Sequence, residues 1–224
     1  AHMVVTSFAK SGDTASIGAN LMLTDAQNGA PICDIPMAGS KDNVSLPATQ
    51  SVTIPVSRLV SRVEVDRIAL EFNSEAFSEQ TFTLDSIYFI NAATSLGLGS
   101  DQGTDFINAK RFSQGSDREK FLTMEAVGSV IADKGADSTP RYLYTMPSGK
   151  TLLVLSVRLG QKRFYYPLQT GPMESNASYR ISQITIRRPG AKDPSTPVSF
   201  DDVVFGISVQ PWEETTLPSE NFSI

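Results

Sequence analysis

The sequence predicts a mainly β protein, a β-sandwich with Greek-key connections, and three observations carry that expectation. Val203, Phe205, Ile207 and Val209 alternate with Val204, Gly206, Ser208 and Gln210, the period of a strand with one face in a core. Residues 151–159 and 162–168 flank Gly160-Gln161 in a hairpin pattern, with the glycine supplying the positive φ of a tight turn. Long runs of helical periodicity are missing throughout.

Ala1-His2-Met3 reads as the scar of a cleaved purification tag. Residues 4–30 are rich in Ser, Ala, Gly, Asn and Asp, and their one apolar cluster, Leu21-Met22-Leu23, has room for a short helix. From Pro31 to Gln50 the composition is that of turns, as in Ile35-Pro-Met-Ala-Gly-Ser40 and Leu46-Pro-Ala48. A segment of this size is too small to build an independent sandwich without disulfides.

Strands then follow one another. Val52, Ile54 and Val56 share one parity, Leu59, Val63 and Val65 take the other, and Ile68, Leu70 and Phe72 switch back. Such parity changes predict bulges or bends that carry a long strand between faces or sheets. Phe82, Leu84, Tyr88 and Ile90 alternate with Thr83, Asp85, Ile87 and Phe89, so the end of this strand is apolar on both faces, as in a central strand.

Residues 92–140 read as loops around 96–103 and 134–140, with one modest helix or strand over 111–127. Ser148-Gly149-Lys150 marks a turn before the hairpin. Phe164 and Tyr166 have the parity opposite to Tyr165, so only part of this trio can face the core. Beyond the hairpin come Tyr179-Arg-Ile-Ser-Gln-Ile-Thr-Ile186, the Pro-spaced loop Asp193-Pro-Ser-Thr-Pro197, and a strand over 201–210 that ends at Pro211-Trp212.

Twelve residues follow Trp212 without a helix cap, a Gly-rich linker or a charge run. Phe222 and Ile224 share a parity and can enter one apolar groove, while Asn221 and Ser223 face outward. Leu217 has the other parity, and Pro218 interrupts a ladder, so the tail is expected to engage in two pieces. A frayed terminus is the alternative.

The order of these segments resembles the C-terminal domain of the Bacteroidetes fimbrillins, pilins of the FimA type and their minor or accessory subunits. Val56-Ser-Arg-Leu-Val-Ser-Arg-Val63 looks like the strand that opens that domain, and Thr81-Phe-Thr-Leu-Asp-Ser-Ile-Tyr-Phe-Ile-Asn-Ala92 like the next. Arg163-Phe-Tyr-Tyr-Pro-Leu168 looks like the family's Tyr-Tyr-Pro strand, and the segment from Tyr179 to Trp212 like its last strands and their Gly/Pro-rich loop. The resemblance covers roughly residues 50 to 224. It implies a transthyretin-like sandwich over 51–210, an incomplete remnant of an N-terminal domain over 4–50, and an extension over 211–224 that donates a strand through Leu217, Phe222 and Ile224.

The same resemblance implies a structural subunit of a cell-surface fimbria that contributes to adhesion, made as a lipoprotein precursor and associated with the outer membrane. Its partners would be other fimbrial subunits, in a homo- or heteropolymer, and host or bacterial surface ligands. Shaft, tip or accessory, and anchor roles all remain open. A surface adhesin or carbohydrate-binding sandwich that does not polymerise is the alternative, with Tyr142, Tyr144, Phe164, Tyr165, Tyr166 and Trp212 as candidate sugar platforms, although rings that pack the sheets are the preferred reading of these six.

Composition and residue chemistry set the exclusions. A net charge of −5 argues against a nucleic-acid partner. The one histidine, His2, lies in the scar, and the one cysteine, Cys33, reads as a small buried or half-buried residue, so a His-based triad, a His-ligated metal and an intrachain disulfide are not expected. Asp201-Asp202 and Glu213-Glu214 are adjacent on extended chain and point to opposite faces, unlike the paired carboxylates of a glycosidase. Asp101-Gln-Gly-Thr-Asp105 lacks the length and the bidentate Glu of a calcium loop, and the glycines of 97–103 lack a following Gly-Lys-Ser/Thr. Arg187-Arg188 with Lys192 reads as a strand-end solubility device, and the sequons at Asn43, Asn176 and Asn221 carry no role in a chain of bacterial character. No catalytic residue, cofactor or metal is expected.

Overall fold

Alternating apolar residues build two layers around one main core, one a four-stranded sheet and the other a bent layer of two four-stranded sheets end to end; a three-stranded and a two-stranded sheet are also present. The computed structural model describes residues 21–22, 35, 37–39, 55–97, 100–106 and 124–212. Its elements begin with β1 (Leu21–Met22), β2 (Met37–Ala38), β3 (Ser57–Arg58), β4 (Ser61–Val65), β5 (Ile68–Leu70), the helical turn α1 (Glu75–Ser78) and β6 (Phe82–Ile90). They continue with β7 (Ala93–Leu96), β8 (Thr104–Phe106), β9 (Met124–Ile131), β10 (Ala136–Asp137), β11 (Arg141–Thr145) and β12 (Leu152–Leu159). The last are β13 (Lys162–Gln169), β14 (Ala177–Ile181), β15 (Ile184–Ile186), β16 (Val203–Phe205) and β17 (Ser208–Pro211).

The first sheet is bent across its whole width. Its lower part has the order β11-β4-β14-β17 and its upper part the order β10-β5-β15-β16, so each of its strands breaks at the same level. The parity switch between Val65 and Ile68 is the sequence trace of this bend. Asp66 and Arg67 separate β4 from β5, and both strands remain buried on the core side. Hydrogen bonds cross the bend, from the Asp66 amide to the Ile181 carbonyl at 3.0 Å and from the Ile184 amide to the Arg67 carbonyl at 2.9 Å. The central β4/β14 and β5/β15 pairs are parallel, which requires the intervening chain to cross to the other sheet and return.

The second sheet has the order β13-β12-β6-β9, and β6 is central as its two apolar faces predict. Its register slips at Asp85, an extra residue relative to β12, while β9 accommodates an extra residue around Gly128, whose φ is +64°. The bulge changes which residues share a face. Phe82 and Leu84 lie in the main core with Ile87 and Phe89, whereas Tyr88 and Ile90 join Val154 in a separate cluster. The simple alternation that grouped Tyr88 and Ile90 with Phe82 is therefore corrected. Asp85 accepts ion pairs from Arg158 at 2.8 Å and Arg163 at 3.4 Å.

The β12–β13 hairpin turns at Gly160, φ +59°, as expected. Tyr166 is buried in the main core and Phe164 packs against it, while Tyr165 packs on the opposite cluster. The strand expected over 201–210 is instead two short strands, because its partner follows the bend of the sheet and pairing is interrupted at Gly206 and Ile207. Its parity survives the break: Val203 is buried, and Phe205 and Ile207 are half-buried against the core, less covered than the alternation predicts.

Leu21 and Met22, expected in a short helix, form a strand on β7, where pairing supplies the backbone bonds that so short a helix could not propagate. Residues 93–96 and 104–106 form strands within a region that reads as loop, and 136–137 pair with β5. The segment expected over 111–127 yields strand from Met124, and residues 107–123 lie outside the described residues. No helix among the described residues is long and apolar enough to cross a membrane.

Candidate functional site

Trp212, where the described chain ends, is the residue around which a site can be built. It is 8% exposed, and its ring stacks on Tyr144 with centroids 5.8 Å apart and planes at 29°. The guanidinium carbons of Arg62 and Arg58 lie 4.6 and 4.8 Å from its ring centroid, and Arg62 also lies 5.6 Å from the ring of Tyr142. An indole face attracts cations by its quadrupole, worth about 0.5 to 2 kcal/mol each as water is excluded. Val60, Ala93, Leu96 and Met146 complete the apolar floor.

Backbone geometry fixes the exit of the chain at this point. The Trp212 amide donates to the Asn176 carbonyl at 3.0 Å, and the Asn176 amide donates to Val60 at 3.1 Å. Asn176 adopts φ +57°, a left-handed turn conformation that asparagine tolerates, and its side-chain oxygen accepts from Arg58 at 3.4 Å. Arg62 Nε donates to Ser178 Oγ at 3.1 Å. The turn before β14 is held by Tyr179, whose hydroxyl donates to the Pro172 carbonyl at 2.9 Å and accepts from the Glu174 amide at 2.8 Å. Burial pushes the Tyr179 phenol up. Ser61 Oγ donates to the Glu174 carbonyl at 2.7 Å, tying β4 to the same turn.

Arg62 makes no ion pair with any described residue; its guanidinium contacts Trp212, Tyr142 and Ser178 Oγ. Burial, and then the Glu64 carboxylate, push the Tyr142 phenol up. The arrangement is a clamp for an aromatic anchor, with no nucleophile and base in contact. The aromatic residues considered as a sugar platform are divided: Tyr144, Trp212 and Tyr142 belong to one cluster, Tyr166 and Phe164 to the main core, and Tyr165 to the third. They form no shared surface.

The other candidates have structural settings. Asp202 accepts from the Ser199 amide at 2.9 Å and its hydroxyl at 2.7 Å, closing the turn before β16, while Asp201 is exposed 3.7 Å from Arg188. Among the described residues no group of three His, Cys, Asp or Glu side chains could hold a metal ion. Leu217, Phe222, Ile224, Cys33, His2 and Glu213-Glu214 lie outside the described residues. The clamp residues Arg58, Arg62 and Asn176 carry no motif of their own. The available signal was Arg58-Leu-Val-Ser-Arg62 followed by a lone Trp at a strand end.

The sandwich is a fold shared with bacterial proteins named for cell adhesion. A structure from Parabacteroides distasonis ATCC 8503 matches with a TM-score of 0.50 and 14% identity over 74% of this chain and 55% of that one. One from Bacteroides eggerthii DSM 20697 matches with a TM-score of 0.50 and 14% identity over 72% of this chain and 58% of that one. A fimbrilin from Porphyromonas gingivalis W83 gives 12% identity and a TM-score of 0.43, below the level that decides a shared fold, over 71% of this chain and 59% of that one. This chain thus spans a little over half the length of these structures. No protein-family model and no curated sequence matches it.

Proposed function

We propose that the chain is a structural, non-catalytic subunit of a bacterial cell-surface fimbria, related to the Bacteroidetes fimbrillins and contributing to adhesion. The clamp on Trp212 carries this reading: the sandwich holds the chain firmly at the residue that precedes the last twelve of the sequence. A tail that only frays needs no such anchor; a tail that bears load between subunits does. The order of the fimbrillin-like segments and the fold held in common with two proteins named for cell adhesion support the same reading.

In this reading residues 51–210 form the sandwich domain, 4–50 belong to an incomplete N-terminal domain, and 211–224 form the donor extension. Phe222 and Ile224 fill one apolar groove of a neighbouring subunit, and Leu217 engages before the hinge at Pro218. Main-chain bonds along the inserted strand make the joint stable without cysteine. The subunit sits on the outer-membrane surface. Deleting residues 218–224 leaves the melting of the sandwich nearly unchanged but abolishes incorporation of the full-length subunit into fibres, scored by electron microscopy. Normal fibres from the deletion mutant would refute the donor role.

A further inference from the structure

The outer edge of the bent sheet has open backbone groups, and their phase can be read from two bonds. The Trp212 amide donates to Asn176, so Gln210 and Ser208 are the residues of β17 that exchange bonds with Ser178 and Arg180 on β14. Val209 and Pro211, between them, turn their backbone groups outward. At the other end the Arg187 amide donates to the Asp202 carbonyl at 2.8 Å, which makes Val204 the bonded partner of Thr185 and turns Val203 and Phe205 outward. Ile207 continues that outward row. Phe205, Ile207 and Val209 have no backbone bond to another described residue on that side.

The side chains of Phe205 and Ile207 pack against the core but are incompletely covered. Val209 is 60% exposed, although Tyr179, its neighbour across the ladder, is 3% exposed. Natural edges are usually guarded by charge, and the segment from Val203 to Trp212 contains no charged residue. The edge is blunted by the shortness of its two strands, by the break at Gly206 and Ile207, and by Pro211, whose missing N–H falls on the outward side.

We propose that this edge is an interface between two copies of the chain, paired antiparallel about a two-fold axis at Ile207. The two bent sheets then become one continuous eight-stranded sheet, twice the four strands of each copy. The edge is complementary to itself. Ile207 meets its symmetry mate, and the large Phe205 of one copy falls opposite the smaller Val209 of the other. Every outward N–H and C=O of these residues finds a partner, and the missing donor of Pro211 lies at the end of the ladder, opposite Val203. An uncharged strand brings no like charges together when doubled; of the acids that precede it, Asp202 accepts from the amide and hydroxyl of Ser199, and Asp201 has Arg188 3.7 Å away. The interface is independent of the tail.

Sedimentation velocity of the whole chain over a concentration series tests this. The wild type is expected to dimerise reversibly, and Val209→Pro to weaken the dimer by at least about tenfold. At concentrations where the wild type is monomeric, its melting temperature stays close to the wild-type value, because the Val209 amide has no backbone partner among the described residues to lose. Val209→Lys, a second exposed change, has the same effect if the proline variant fails to fold. Val130→Lys, on β9 at the edge of the other sheet and 68% exposed in the wild type, leaves the dimer intact. A wild type that is monomeric throughout, a dimer unaffected by the Val209 changes, or one equally lost in Val130→Lys overturns the proposal. A monomer that instead binds a synthetic peptide of residues 213–224 at this edge also overturns it.

Discussion

The guanidinium of Arg62 lies 4.6 Å from the ring centroid of Trp212, between that indole and the phenol ring of Tyr142. Arg62 belongs to the first long strand of the sandwich and Trp212 follows the last, so one cation joins segments from the two ends of the chain order. Trp212→Ala is expected to cost about 3 to 5 kcal/mol through lost burial and the cavity left between Arg62 and Tyr144. Because Trp212 is the only tryptophan, its fluorescence reports this site alone. In Arg62→Met the emission should change while the far-UV circular dichroism stays that of a β protein.

A second prediction concerns acid stability. Asp137 pairs with the buried Arg141 at 2.7 Å, and although burial alone would raise the Asp137 carboxyl, the bonds from Arg141 and Thr139 outweigh it and hold the group at about 2. The folded value lies below the unfolded one, so the stabilisation is complete above about pH 4 and is lost as pH falls toward 2. Asp137→Asn should therefore cost on the order of 1 to 2 kcal/mol at pH 7 and almost nothing near pH 2. Urea titrations at the two pH values check it; an equal cost at both would show that the pair does not set the dependence.

The bulged strand makes a third. A Cβ placed on Gly128 would meet nothing within 4 Å, yet its φ of +64° is one that L-residues adopt at a cost. Gly128→Ala should destabilise by about 1 to 2 kcal/mol through the backbone alone. Gly149, equally uncrowded and without a positive φ, should accept alanine within about 0.5 kcal/mol. Thermal denaturation of the two variants separates backbone strain from crowding.

Core position gives a fourth. Phe89 is 0% exposed, and Phe89→Ala should cost about 3 to 5 kcal/mol. Phe205 is half-buried at the sheet edge, so Phe205→Ala should cost clearly less. Equal losses in urea would place Phe205 in the closed core.

What the sequence revealed follows from which devices leave a trace in side-chain parity. The bend between β4 and β5 was legible because the apolar residues change parity from Val65 to Ile68. The bulge at Asp85 was hidden because Tyr88 and Ile90 are as apolar as Ile87 and Phe89, so either register buries the strand. The break at Gly206 was hidden for the opposite reason: parity continues through it, and the extra residue lies on the partner strand. At the candidate site Trp212 stood out as a strand end, but Arg58, Arg62 and Asn176 reach it only through tertiary packing that no local spacing encodes.

In the proposed donor role alternate residues of the tail enter a neighbouring subunit, and substitution by parity tests that role. Phe222→Asp and Ile224→Asp, made together in the full-length subunit, should abolish its incorporation into fibres seen by electron microscopy. Asn221→Asp, at the parity that the proposed register leaves outward, should leave fibres of normal number and length. Fibres formed equally well by both variants, or lost equally in both, would contradict the account.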